Sequence, residues 1–123
     1  MNPKLIVLVG IGGMIGSVCR YAIGLWVKNN PFPYATFWVN ISGALIIGAC
    51  MAWYQKFPEQ EPLKLFLVTG ICGGFTTFSA FAWENWQLLH DQRYLLFCIY
   101  SFGTLILGLI AVTVGYRLIN IIL

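Results

Sequence analysis

Asn40, Thr36, Thr76, Thr77 and Ser79 are polar but uncharged, and each falls inside an apolar run. Phe78 and Phe81 interleave with them, and Arg20 is the only charge deep in the first such run. Together these residues could handle an ion. The Asn40 amide offers two donors and one acceptor. Phe78 and Phe81, three apart, share a helix face, and phenyl rings have electropositive edges. Edges turned inward would favour a small anion without binding it too tightly. Each residue also has a structural reading. Intramembrane Asn often joins helices, and a Phe pair at this spacing also packs against core or lipid. Arg20 could attract an anion, hold a re-entrant backbone, or snorkel to headgroups from about two turns before Lys28.

The stretch Gly70–Phe81 concentrates these types inside a run long enough to cross a bilayer. Glycine weakens a helix, and hydrocarbon cannot solvate the hydroxyls of Thr and Ser. Irregular backbone at membrane depth is tolerated only where protein or a water-filled cavity satisfies it. The segment therefore predicts a helix broken in mid-membrane beside an ion or substrate path. Gly73-Gly74 is the expected break, and carbonyls freed there, including that of Thr76, could coordinate a cation.

Four apolar stretches must position these residues: Leu5–Val27, Ala35–Tyr54, Leu63–Trp83 and Tyr94–Tyr116. Each approaches the roughly 20 residues of a spanning helix. Only 9% of the 123 residues are charged, against roughly 25% in soluble domains. With mean hydropathy at +0.80, the expectation is an all-α integral membrane protein, residues 1–123 forming one four-span unit. The first stretch is too long for a signal peptide and lacks a clear small-residue cleavage site, so it is expected to be retained. Cys19, Cys50, Cys72 and Cys98 all lie in apolar spans without CxxC spacing and are expected to be reduced packing residues. Four helices enclose little beyond their own side chains, so a pore in so small a protein calls for a second copy.

Short connections, Lys28–Tyr34, Gln55–Pro62 and Glu84–Arg93, put Lys4, Lys56, Lys64 and Arg117 on one side. Lys28 and Arg93 lie on the other, with Arg20 nearer to it. So slight a bias permits insertion both ways up, though the count alone slightly favours a single orientation. Gly12-x-x-x-Gly16 is a small-residue packing motif. Several functions are disfavoured. The thinly spread charge does not indicate a nucleic-acid surface. No Ser-His-Asp set, zinc-ligand spacing or phosphate loop appears, so an enzyme is not expected. No carboxylate is expected deep in a span, Glu84 falling at the end of the third, which counts against proton-coupled antiport. His90 and Asp91 are placed in a solvated connection.

Three blocks then become specific: Gly12–Tyr21 with Arg20, Thr36–Asn40 with Gly43 and Gly48, and Gly73–Phe81 with Glu84. In order and spacing they resemble the signature blocks of the Fluc (CrcB) fluoride channels, over three of four spans. The resemblance implies an antiparallel, dual-topology homodimer in the cell (inner) membrane, with two fluoride pathways lined by both subunits. It implies passive fluoride efflux that relieves toxicity. Asn40 would be the pore-lining amide donor, and Phe78 and Phe81 the aromatic box. Thr36 would sit in an aqueous vestibule, with Ser79 in the hydroxyl track leading from it. Carbonyls of Gly73 and Thr76 from both subunits would hold a structural sodium ion (Na+), and Arg20 would mark the vestibule. The chain departs from the family at Ala80, where relatives often have Thr, at Ala35 for Gly, and at Gly108 for a fourth-span Ser. Thr104 and Thr113 are the nearby hydroxyl-bearing threonines. The alternative is a small multidrug or cation exporter of the four-span, dual-topology type, which needs an acidic residue where this chain has Arg20. A non-transporting assembly subunit is the third reading.

Overall fold

The computed structural model describes residues 2–27 and 30–123. Among the described residues, four helical stretches are long and apolar enough to cross a membrane: Pro3–Trp26, Tyr34–Lys56, Glu61–His90 and Tyr94–Ile122. The first two are α1 and α2. The third divides into α3 (Glu61–Lys64), a π-helical segment (Leu65–Cys72), α4 (Gly73–Phe75) and α5 (Phe78–His90). The fourth is α6 (Tyr94–Ile122). The basic residue Lys28, expected in the first connection, lies outside the described residues.

The helices begin and end for local reasons. Asn2 caps α1 by accepting the Lys4 N–H at 3.1 Å, with Pro3 already suited to the first turn. At the end of α5, Gln92 takes a left-handed φ of 56°. The Arg93 N–H then bonds the Leu88 carbonyl at 2.8 Å, and the Gln92 N–H bonds that of Leu89 at 3.1 Å. This pattern closes a helix tightly. It corrects the expected Glu84–Arg93 connection: α5 runs on to His90, so Glu84 lies about 9 Å inside its helix end. α2 and α6 also outrun their expected ends, to Lys56 and Ile122, because polar side chains at the rims do not stop a helix, whereas α1 stops at Trp26, one residue short of Val27.

Close packing comes from glycine. On α1, a side chain at Gly12 or Gly16 would collide with the backbone of Phe66 or Ile71 in the third span. The Gly12-x-x-x-Gly16 face is thus buried there, the use its spacing predicts. Gly48 of α2 meets the Val112 backbone of α6, and Gly115 meets that of Leu45 in return. In the π-helical segment the Gly73 N–H reaches back five residues to the Val68 carbonyl. Each wide turn takes up extra chain. The hydrophobic core is Phe37, Leu88 and fully buried Tyr100, with Phe32 and Phe81 packed against it.

Only 11% to 33% of each span's apolar window is buried within the chain. Total accessible surface is 7969 Å², against roughly 6,600 Å² for a compact soluble chain of this mass. Apolar faces are left for lipid or another protein. Of the cysteines, Cys72 is buried and Cys50 half-buried, but Cys19 and Cys98 are exposed rather than packed.

Candidate functional site

The break in the third span falls at Thr76 and Thr77, whose backbones are extended (ψ 155° and 117°). Gly73 and Gly74, expected to supply it, instead complete a helical turn. Their small size serves another purpose: a side chain at Gly74 would collide with the Gly13 backbone of α1. Asn40 of α2 repairs the break. Its Nδ2 donates to the Thr77 carbonyl at 3.1 Å, and its Oδ1 accepts the Thr77 N–H at 2.8 Å. The amide so replaces both helical bonds that Thr77 has lost, which buried backbone requires. One N–H of Nδ2 is left over.

Restarting the helix falls to Thr77, whose hydroxyl accepts the Ala80 N–H at 3.2 Å as the cap of α5. Ser79 is exposed, with Oγ 3.2 Å from Thr77 Oγ1. On the other side of the break, Arg20 donates from Nε to the Gly74 carbonyl at 3.1 Å, and Ser17 Oγ lies 3.4 Å from the same oxygen. Of the readings open for Arg20, holding the re-entrant backbone is the one with a bond. Among the described residues, no hydrogen bond ends on the carbonyls of Gly73 or Thr76.

Two cavities flank the break. The outer one, about 800 Å³, lies toward the loop end and is lined by Arg20, Thr36, Thr77, Glu84, Asp91 and Arg93 among others. In it, Thr36 donates to Glu84 Oε1 at 2.7 Å, and the Tyr100 hydroxyl donates to Oε2 at 2.6 Å. The Glu84 carboxylate, expected at the end of the third span, is half-buried and accepts both of these bonds. Thr36 lines this cavity, and its proton is committed to Glu84.

The second cavity, about 580 Å³, is lined by Asn40, Thr76, Thr77, Phe78, Phe81, Ser101 and Thr104 with apolar residues of α2 and α6. Phe78 and Phe81 have ring centroids 6.1 Å apart at 40°. Their settings differ. Phe81 rests on Tyr100 at 5.0 Å, whereas Phe78 is 79% exposed. Thr104 Oγ1 is buried here with no partner, the only such side-chain atom among the described residues. Thr113 is exposed and bonds its own helix at Leu109.

The structure brings Asn40, Phe78, Phe81 and Thr76 to the aromatic cavity, and Thr36 and Arg20 to the outer one. Sequence reasoning missed Tyr100, Asn85 and Ser101. Buried Asn85 donates to the Phe81 carbonyl at 3.0 Å and accepts from Ser101 at 2.8 Å. With Glu84–Tyr100 one residue earlier, it makes a double polar latch between α5 and α6. The signal was available: two polar side chains side by side on each helix, sixteen residues apart.

Residues 7–116 match the family described as CrcB-like protein, Camphor Resistance (CrcB). A Flavobacterium psychrophilum protein named "Fluoride-specific ion channel FluC" is 44% identical over 116 residues, 91% of this chain and 94% of that protein. Proteins of the same name from Bacteroides fragilis and Thermus thermophilus are 42% and 37% identical, covering 91% and 96% of this chain and 93% and 95% of their own lengths.

Proposed function

Since the chain belongs to the CrcB-like family, whose matched relatives are named fluoride-specific ion channels, we propose that it conducts fluoride passively across the cell membrane, lowering cytoplasmic fluoride. It is a multi-pass membrane channel and not an enzyme. The observation that carries the reading is the aromatic cavity beside the break, which Phe78, Phe81 and the neutral amide of Asn40 line together. Fluoride is small and strongly hydrated, so its path must replace water's hydrogen bonds. Asn40 has one N–H beyond the pair bond to Thr77, and Phe78 and Phe81 add weaker, graded attraction. Such a mixture lets an ion enter and also leave. Chloride is larger, and a pathway that fits fluoride closely would exclude it.

A second copy completes the pathway. Phe78 is 79% exposed, and the aromatic cavity opens outward from a thin four-span unit. An antiparallel, dual-topology homodimer would cover that face and give two pathways. The residues at the break also fit a sodium ion at the dimer centre. The carbonyls of Gly73 and Thr76 lack partners among the described residues, and hard cations take oxygen ligands. Two oxygens from each chain would together hold the ion, whose part is to fix the two breaks relative to one another.

The exporter alternative has less support, since the first span offers Arg20, bonded to Gly74, where an acid is required. The test is fluoride efflux from proteoliposomes, read with a selective electrode, beside chloride efflux. Fluoride release without chloride release is expected. Equal release of both would overturn the reading. Replacing sodium with a large organic cation during purification should weaken the dimer.

A further inference from the structure

Thr77 lines both cavities, and among the described residues it alone does so. Thr77 is thus the residue that the Thr36 side and the Phe78 side have in common. Asn40 bonds its backbone on both faces, which fixes the side chain's origin. The residue is only 9% exposed, so its hydroxyl has few directions available.

A hydroxyl carries one proton and two acceptor sites. One site on Thr77 Oγ1 takes the Ala80 N–H at 3.2 Å. Ser79 Oγ, 3.2 Å away, can act as donor or acceptor. If Thr77 donates, its proton is spent on Ser79. If Ser79 donates, the second acceptor site is filled and the Thr77 proton is free to point into a cavity. Turning two hydroxyls exchanges these states, with no backbone movement. Thr36, Thr76 and Ser101 lack this freedom, because they donate to Glu84, to the Cys72 carbonyl and to Asn85; Thr104 Oγ1 has no partner but lines only the aromatic cavity.

We propose that Thr77 is the hydrogen-bond donor which passes fluoride between the two cavities, and that Ser79 is a positioning residue which turns the Thr77 proton toward the ion. The proposal rests on the fluoride-channel reading and adds a residue that reading does not use.

The experiment compares fluoride efflux from vesicles carrying the wild-type chain, Thr77→Ser, Thr77→Val and Thr77→Gly, with dimer elution and melting measured on each. Thr77→Ser keeps the hydroxyl and should stay within about threefold of wild type, while Thr77→Val should lose about tenfold or more. A folded Thr77→Val that conducts like wild type overturns the proposal. If Thr77→Val does not fold, the other pair decides. Gly caps a helix about as well as Thr but has no side-chain donor, so a residue that only caps α5 would let Thr77→Gly and Thr77→Ser conduct alike, and that result also overturns it. Thr77→Gly folding normally but conducting at least about tenfold less than Thr77→Ser supports it. If the wild-type vesicles themselves retain fluoride, the channel reading fails, independently of Thr77.

Discussion

The side-chain amide of Asn40 bonds both the N–H and the carbonyl of Thr77, at 2.8 and 3.1 Å. One side chain thereby supplies what a helical turn would have given the broken backbone. Asn40→Asp keeps an acceptor for the N–H but sets a second oxygen against the Thr77 carbonyl. It also puts negative charge where an anion must pass, worth about 4 kcal/mol of repulsion at 4 Å in a partly screened site. Fluoride efflux should fall by about 100-fold or more. Asn40→Leu leaves the Thr77 groups unpaired and should cost roughly 1–3 kcal/mol of stability, read by melting of the dimer.

Phe78 and Phe81 should separate by experiment. Phe81 packs on buried Tyr100 with centroids 5.0 Å apart, so Phe81→Ile loses an aromatic contact of about 0.5–1.5 kcal/mol. Phe78 is 79% exposed and makes no comparable contact with the core. Phe78→Ile should leave the monomer fold intact yet reduce fluoride efflux about tenfold or more. Melting and efflux measured on the same preparations check this. Equal stability losses in the two variants would contradict the arrangement.

How much of this was legible before the structure depends on what each residue answers to. The four spans follow from apolar length alone, and the mid-membrane break from Thr76 and Thr77 amid glycine. The position of the break was not legible, because it depends on Asn40 from another helix, thirty-seven residues earlier. Gly73 and Gly74 were misassigned for the same reason: a small residue serves close packing as readily as a break. Glu84 was read as a rim residue because its helix continues through polar Gln87 and His90, whose hydrophilicity mimics a loop. Asn85 and Ser101 went unnoticed since each looks unremarkable until α5 and α6 lie side by side.

Glycine's packing role predicts an asymmetry within the α2–α6 contact. An added methyl at Gly48 would strike the Val112 backbone, which cannot yield, whereas one at Gly103 meets the Phe37 ring at an ordinary 3.6 Å. Gly48→Ala should destabilise by about 1–3 kcal/mol through overpacking. Gly103→Ala should be neutral or stabilising by up to about 1 kcal/mol, from helix propensity. Melting of the two variants in one detergent is the measurement.

Gln92 offers a stabilising change away from the pathway. Its φ of 56° is left-handed, a conformation that costs a residue with a side chain roughly 1–2 kcal/mol and glycine little. Gln92→Gly should therefore raise stability by about 1 kcal/mol, with fluoride efflux unchanged. A fall in melting temperature would mean that the Gln92 side chain makes a contact of greater value than the strain.

Arg20 gives the sharpest contrast between two roles for one charge. If the side chain only snorkels toward headgroups, lysine serves as well, since both carry a long apolar stem and a cation. If it holds the break, lysine does not serve, because the bond comes from Nε at 3.1 Å from the Gly74 carbonyl and lysine has no donor at that point along its chain. Hydrogen bonds to charged groups contribute about 1.5–3 kcal/mol, and Ser17 at 3.4 Å is too distant to substitute fully. Arg20→Lys should then lose about 1–2 kcal/mol of stability and much of the fluoride efflux, since a loosened Gly74 shifts Thr76 and Thr77 two and three residues on. Arg20→Lys indistinguishable from wild type in both melting and efflux would return Arg20 to the headgroups.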